Sequence, residues 1–173
     1  MYYEPRTGGL EIEITSRGKK GSILLFDLYV TDKRVKERYY DMVEEIFEDA
    51  FLKEFPDAIP PEDIIEWCET VSESYTISAM DALLNYYVLQ NLSSFMVEEI
   101  KVYGVPDEEK DYIQELFNEA KNIKEFIDIL KAEGYRPKLV DTEEKWLKMA
   151  DSKLKNIMDK ARVLQSKLLL KRR

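Results

Sequence analysis

The chain offers few side chains for catalytic chemistry. Its 173 residues include no histidine and a single cysteine, Cys68, which excludes a Ser-His-Asp triad, a Cys-His pair and a His-ligated metal. The tripeptide Glu99-Ile100-Lys101 could pair a metal-binding carboxylate with a charge-stabilising lysine, as in a nuclease. The nearest further acid, Asp81, falls in a predicted helix, and Glu and Lys are abundant throughout. We therefore predict a protein that is not an enzyme and has no catalytic residue, metal or cofactor.

Cationic and aromatic side chains are interleaved in and after the first predicted hairpin. Single-stranded nucleic acid is held by this combination, with cations along its backbone and aromatic faces stacked on its bases. The pattern predicts a surface for single-stranded DNA or RNA formed by Arg17, Lys19, Lys20, Phe26, Tyr29, Lys33, Arg34 and Arg38. Glu11 and Glu13 count against it if they share the same face. The alternative interpretation is a solvated turn followed by ordinary core aromatics.

Charge is unevenly distributed along the chain. The total is 35 acidic against 26 basic residues, a net charge of −9, which argues against indiscriminate binding to nucleic acid. Residues 34–141 are strongly acidic, whereas residues 142–173 are basic. A local basic groove is compatible with this distribution, and so is a dimer that pairs the basic tail with the acidic body. A surface rich in Glu and Lys is typical of a thermophile.

The elements that must position these residues follow from hydrophobic periodicity. Alternation over residues 10–14 predicts a strand, and the apolar run 23–30 predicts a second, joined to the first by a turn with two glycines. In the second strand one face carries Leu24, Phe26, Leu28 and Val30, and the other Ile23, Leu25, Asp27 and Tyr29. Further patterns predict helices over 34–54, 61–71, 76–98 and 107–134, with short strands over 100–104 and 135–140. We expect an α+β fold: a small antiparallel β-sheet covered by about four helices.

The last predicted helix, residues 141–173, carries a heptad pattern. Seven apolar residues recur at alternating spacings of three and four: Leu147, Ala150, Leu154, Ile157, Ala161, Leu164 and Leu168. This period is that of a left-handed coiled coil and predicts self-association into a dimer or tetramer. The alternative is a helix that packs on its own domain, because further apolar residues widen the stripe. The prediction divides the chain into a binding domain, 1–140, and an oligomerisation helix, 141–173.

The order of these features resembles the ThermoDBP-related family, archaeal single-stranded-DNA-binding proteins without an OB-fold. The resemblance is carried by the strands 10–14 and 23–30, the loop 17–21 and the heptads 147–168, and the acidic total departs from it. It implies a basic cleft with exposed aromatics and an oligomerising tail. We therefore expect a protein that binds single strands, or alternatively an assembly factor that uses the coiled coil. With no long apolar run and no leader, we expect a cytoplasmic protein without a membrane partner.

Overall fold

The computed structural model describes residues 9–56 and 62–171, and the side chains of these except residues 165 and 167–171. Within these residues four strands form one antiparallel sheet, which is accompanied by six helices, and this confirms the mixed fold. The elements are β1 (Leu10–Ser16), β2 (Lys19–Val30), α1 (Lys33–Lys36), α2 (Tyr39–Glu54), α3 (Ile64–Gln90), a 3₁₀ turn (Leu92–Ser94), β3 (Phe95–Tyr103), α4 (Asp107–Glu119), α5 (Ile123–Ala132), β4 (Lys138–Leu139) and α6 (Glu143–Lys171).

The hairpin between β1 and β2 turns within two residues. Arg17 and Gly18 both have positive φ, 51° and 79°, the backbone of the two-residue turns that match strand twist. The predicted loop 17–21 is therefore too long. Lys19 and Lys20 belong to β2 and point to opposite faces of the sheet. Gly21 also lies in β2, where a Cβ atom would come within 2.7 Å of the Val105 side chain.

The strand order is β3-β2-β1-β4, so β2 is a central strand. Leu10, Ile12, Ile23 and Leu25 are fully buried on one face. The alternation changes phase at Asp27, whose φ is 45°, and Leu28 therefore turns back to the buried face. The predicted grouping of Leu24 and Phe26 with Leu28 is wrong for this reason. A left-handed residue inside a strand leaves no trace in the hydrophobic pattern.

Helix α3 combines two of the predicted helices. Ser72 has non-helical φ and ψ, and its hydroxyl accepts a hydrogen bond from the Tyr75 N–H at 3.5 Å, so a kink marks the break expected there. The helix ends at Gln90, not at residue 98. Residues 95–98 instead extend β3, where Phe95 pairs with Val30 and its ring meets the Tyr87 ring edge-on at 5.6 Å.

Local helix caps explain two further differences between the predicted and the observed helices. The Asp32 carboxylate accepts the Arg34 N–H at 2.8 Å and starts α1, a single turn that is separate from α2. The Asn122 side chain accepts the Glu125 N–H at 2.7 Å and starts α5, so the predicted helix 107–134 is two helices. Gly134, with φ of 91°, follows α5 as the predicted helix stop.

Helix α6 lies antiparallel to α3 along most of its length. The Gln90 amide donates to Glu143 at 3.5 Å near one end, and the Lys160 ammonium lies 4.8 Å from the centre of the Tyr75 ring nearer the other. The heptad residues Ala150, Leu154, Ile157 and Ala161 are buried within the single chain. The predicted coiled coil is therefore not confirmed, because the helix packs on its own domain.

The two ends of the heptad stripe differ from its middle. Leu147 is half-buried against the core, whereas Leu164 is 50% exposed. The side chain of Leu168 lies outside the described residues. The burial of the middle of the stripe joins α6 to the hydrophobic core that also contains the sheet residues.

Candidate functional site

One face of the sheet holds the buried core, and the opposite face is partly open to solvent. We call this second surface the open face. By strand register and alternation it carries Glu11, Glu13, Lys20, Ser22, Leu24, Phe26, Tyr29, Glu99, Lys101, Tyr103 and Lys138. All of them are exposed or half-buried. Leu24 and Phe26 lie outside the packed core, so apolar surface is left available on this face.

Aromatic and cationic groups meet on the β2–β3 half of the open face. The Lys101 ammonium lies 5.0 Å from the centre of the Tyr103 ring, and Tyr103 is 39% exposed. Leu24 pairs with Lys101, and Phe26 follows two residues along the same strand. Tyr29, at the far end of β2, is 43% exposed, but its partner on β3, Met96, is buried in the core, so the open face ends beside Tyr29. This half therefore offers rings for stacking with ammonium groups beside them.

Carboxylates occupy the β1 side of the open face. Glu11 pairs with Leu24, and Glu13 lies between Ser22 on β2 and Lys138 on β4. Because neighbouring strands are about 4.8 Å apart, the β1 carboxylates are separated from Lys101 by the width of β2. Neither Lys101 nor Lys138 forms an ion pair within the described part of the chain.

The residues predicted to bind nucleic acid fall in three places. Lys20, Phe26 and Tyr29 lie on the open face. Arg17 and Lys19 line a cleft on the helical side of the sheet, because β2 begins at Lys19 and alternates from there. The remaining three, Lys33, Arg34 and Arg38, are exposed around α1 at the other end of β2, and Arg34 forms an ion pair with Asp32 at 3.6 Å.

Three open-face residues were not predicted to bind nucleic acid: Lys101, which was considered only for catalysis, Tyr103 and Lys138. Lys101 and Tyr103 alternate with Ile100 and Val102 inside a segment already predicted as a strand. That alternation could have placed both on one face. Lys138 could not be found in this way, because its position opposite Glu13 depends on long-range pairing of β4 with β1.

The cleft behind the hairpin turn has a volume of about 520 Å³. Its lining includes side chains of both charge signs and consists of Ser16, Arg17, Lys19, Glu108, Glu109, Tyr112, Glu133, Gly134 and Tyr135. The Tyr112 hydroxyl donates a short hydrogen bond to Glu133, which raises the pKa of Tyr112 to about 12. Burial raises the pKa of Tyr135, with Glu109 and Glu133 adding to the effect and Arg17 opposing it. These groups therefore form one interacting cluster.

The residues considered for catalysis lie on different elements of the fold. Glu99 and Lys101 lie on the open face, whereas Asp81 belongs to α3. Cys68 is fully buried in α3, and burial raises the pKa of its thiol to about 12. Among the described residues no group of three or more Cys, Asp or Glu side chains is placed to hold a metal ion.

Comparison with known proteins adds no relative. No family model matches the chain, and neither a curated protein nor a solved structure matches it significantly. The resemblance to the ThermoDBP-related family thus stays a prediction. Within residues 9–56 and 62–171, no helix combines the length and the apolar character needed to cross a membrane.

Proposed function

We propose that the open face binds single-stranded nucleic acid without catalysing a reaction. The observation that carries this proposal is the cluster on β2 and β3, where the exposed Tyr103 ring, the half-exposed Phe26 and the Lys101 ammonium lie on one surface. Stacking on aromatic rings holds bases whatever their sequence, and lysines beside the rings neutralise phosphates. The β2–β3 half of the open face provides both the aromatic rings and the lysines along the direction of the strands.

The path of a strand follows from the arrangement of charges. Lys20 lies at the hairpin end of the open face, followed by Tyr103 and then by Lys101 and Phe26 toward α1. A strand along β2 and β3 would meet these groups in turn and would avoid Glu11 and Glu13 on β1. The carboxylates of Glu11 and Glu13 would repel the phosphates and so confine the nucleic-acid strand to the β2–β3 half of the sheet.

The acidic character of the chain sets the expected strength of binding. Few lysines line the proposed path, and Glu99 lies opposite Phe26. Affinity should therefore depend more on stacking than on counterion release, which gives a shallow dependence on salt. This property would distinguish the open face from a basic groove.

The proposal is tested by fluorescence anisotropy with labelled oligo-dT and oligo-U at several salt concentrations. We expect both oligonucleotides to bind. The double variant Lys101→Gln and Lys20→Gln should reduce the slope of the logarithm of the binding constant against the logarithm of the salt concentration, by about 0.7 for each phosphate that is no longer neutralised. Lys155→Gln, on the exposed surface of α6, is the matched control and should leave the slope unchanged. If neither oligonucleotide binds at low salt, the proposal is wrong.

A second candidate function is self-association through the end of α6. Val163 and the heptad residue Leu164 are 57% and 50% exposed, so the apolar surface of α6 extends past the part that packs on α3. We propose that the protein forms a dimer or tetramer through Val163 and Leu164 and that this contact leaves the α3–α6 packing intact. Sedimentation of the wild type and of Leu164→Glu tests this candidate, since a wild-type monomer would exclude it.

A further inference from the structure

The backbone hydrogen bonds of the sheet can be assigned by counting from the hairpin turn. Residues that flank a two-residue turn exchange both backbone hydrogen bonds, and such pairs alternate with non-hydrogen-bonded pairs along an antiparallel ladder. The first hydrogen-bonded pair here is Ser16 with Lys19. The alternation then directs the backbone groups of Ser22, Leu24 and Phe26 away from β1 and toward β3.

The outer edge of β3 carries backbone groups that are not used within the sheet. Among the described residues β3 pairs with β2 alone, at one end of the strand order. Ile100 and Val102 alternate with the β3 residues that bond to β2, so their N–H and C=O groups point to the outer edge. No backbone hydrogen bond from elsewhere in the described part of the chain reaches these groups. An open edge of this kind is a template for a further strand.

The side chains along this edge carry one charge of each sign. Glu99 and Lys101 lie on the open face on either side of Ile100, and both are exposed. Neither forms an ion pair within residues 9–56 and 62–171. In antiparallel order the segment Glu99-Ile100-Lys101 is therefore complementary in charge to a second copy of itself.

We infer that two copies of the chain pair edge to edge through β3, antiparallel, with Ile100 opposite Ile100 on a twofold axis. Glu99 of each copy then lies opposite Lys101 of the other in a non-hydrogen-bonded pair, where side chains approach most closely. Opposite charges across a ladder stabilise it, whereas like charges destabilise it. The smallest shift that keeps the outward hydrogen bonds is two residues, and it would place either Lys101 or Glu99 opposite its own copy. The charges therefore select one register.

This inference does not depend on nucleic-acid binding, and its interface is separate from Val163 and Leu164 on α6. In the dimer two four-stranded sheets join into one of eight strands, and the two open faces are continuous across the axis. The Lys101 ammonium has three N–H donors. An ion pair with Glu99 of the second copy therefore leaves donors for a phosphate.

Sedimentation velocity over a range of protein concentrations tests the pairing. We expect a wild-type dimer. Glu99→Lys brings a lysine opposite Lys101 at both symmetry-related positions and should weaken dimerisation about tenfold or more. Glu99→Lys combined with Lys101→Glu restores opposite charges and should dimerise like the wild type. Glu13→Lys makes the same change of charge on the open face, with β2 between it and β3, and is the matched control that should stay dimeric.

Disulfide formation measures the register itself. A mixture of Glu99→Cys and Lys101→Cys chains should form a disulfide-linked heterodimer on mild oxidation, because directly opposed Cα atoms lie about 4.5 Å apart. Neither variant alone should crosslink, since the corresponding diagonal distance is about 7–8 Å. Cys68, the one native cysteine, is fully buried.

Each outcome decides between the two interfaces. A dimer that withstands Glu99→Lys, a double charge variant that stays monomeric, or a mixture without the crosslink overturns the inference. A dimer that is lost in Leu164→Glu and kept in Glu99→Lys assigns self-association to α6 instead. A monomeric wild type excludes both interfaces, whatever the oligonucleotide titrations give.

Discussion

The middle of α6 and the open face both carry apolar residues at regular spacing, and the fold treats them in opposite ways. On α6, Leu154 is fully buried by contacts within its own chain. On β2, Leu24 and Phe26 lie half-exposed, outside the packed core. The heptad pattern of α6 is the more regular of the two, yet it is the one used for internal packing.

The difference teaches that periodicity identifies an apolar face but not the surface that covers it. Helix α3 is 27 residues long and lies antiparallel to α6, so it can bury the stripe without a second copy. The open face lies on the side of the sheet away from the packed core, and its rings stay accessible. Four sets of substitutions would break or sharpen this comparison.

The largest effect is expected from a charge in the middle of the α6 stripe. Leu154→Glu places a carboxylate at a fully buried position, so we expect a decrease of more than about 4 kcal/mol in the free energy of unfolding. Leu164→Glu, at the half-exposed end, should cost less than about 1 kcal/mol. Urea denaturation measures both. A Leu154→Glu protein that remains folded as a monomer would show that this position faces a second copy.

Adjacent leucines on β2 provide a matched pair within the sheet. Leu25 is fully buried, so Leu25→Ala should cost about 3 kcal/mol through reduced packing and the remaining cavity. Leu24→Ala, on the open face, should cost less than about 1 kcal/mol. Equal destabilisation of the two variants in denaturation experiments would mean that the open face is covered in solution.

A smaller effect is expected at Asp27, where β2 changes phase. A β-branched residue fits its positive φ poorly, so Asp27→Val should destabilise the protein by about 1–2 kcal/mol. Asp27→Asn and Asp27→Gly should be close to neutral, because both residues tolerate this conformation. If the Asp27→Val and Asp27→Asn proteins unfold at the same temperature, the left-handed conformation at Asp27 is not what buries Leu28.

The smallest effect is expected at Asp151, on the α6 surface facing Lys53 and Glu54. Burial and Glu54 raise the pKa of Asp151, and Lys53 opposes the shift. Because the carboxyl ionises less readily in the folded state than in the unfolded state, its ionisation lowers the stability of the folded protein as the pH rises through the raised pKa. Asp151→Asn should therefore increase stability slightly at pH 7, and the gain should shrink as the pH falls toward about 4. Asp159→Asn, which removes an exposed ion pair with Arg162, should show no such gain. A gain that grows toward acid pH would contradict the sign.

Local signals in the sequence are sufficient for much of the fold. The alternation of Leu10, Ile12 and Ile14, the Asp32 cap and the glycine after α5 each depend on neighbours within a few residues, and the structure has them as predicted. The helix predicted over 76–98 is wrong at its end, because pairing with β2 takes Phe95 into a strand. Such pairing is a long-range contact that no local pattern records.

The candidate site was only partly predictable for the same reason. Phe26 and Tyr29 could be chosen by residue type, but their position relative to Leu28 depends on the left-handed Asp27. Arg17 and Lys20 are three residues apart and lie on different sides of the sheet, because the turn is shorter than its two glycines suggest. Lys138 reaches the open face only through the pairing of β4 with β1.

Photocrosslinking tests the central proposal most directly. An oligo-dT in which one base is 5-iodouracil would be irradiated with the wild-type chain, and the modified residues identified by mass spectrometry. We expect adducts on Tyr103 and Phe26. Tyr103→Ala should lower the adduct yield and cost about 1–3 kcal/mol of binding affinity. Tyr103→Phe should keep the wild-type yield. Adducts confined to the helical surfaces, with none on β2 or β3, would contradict the proposal that the open face binds the strand.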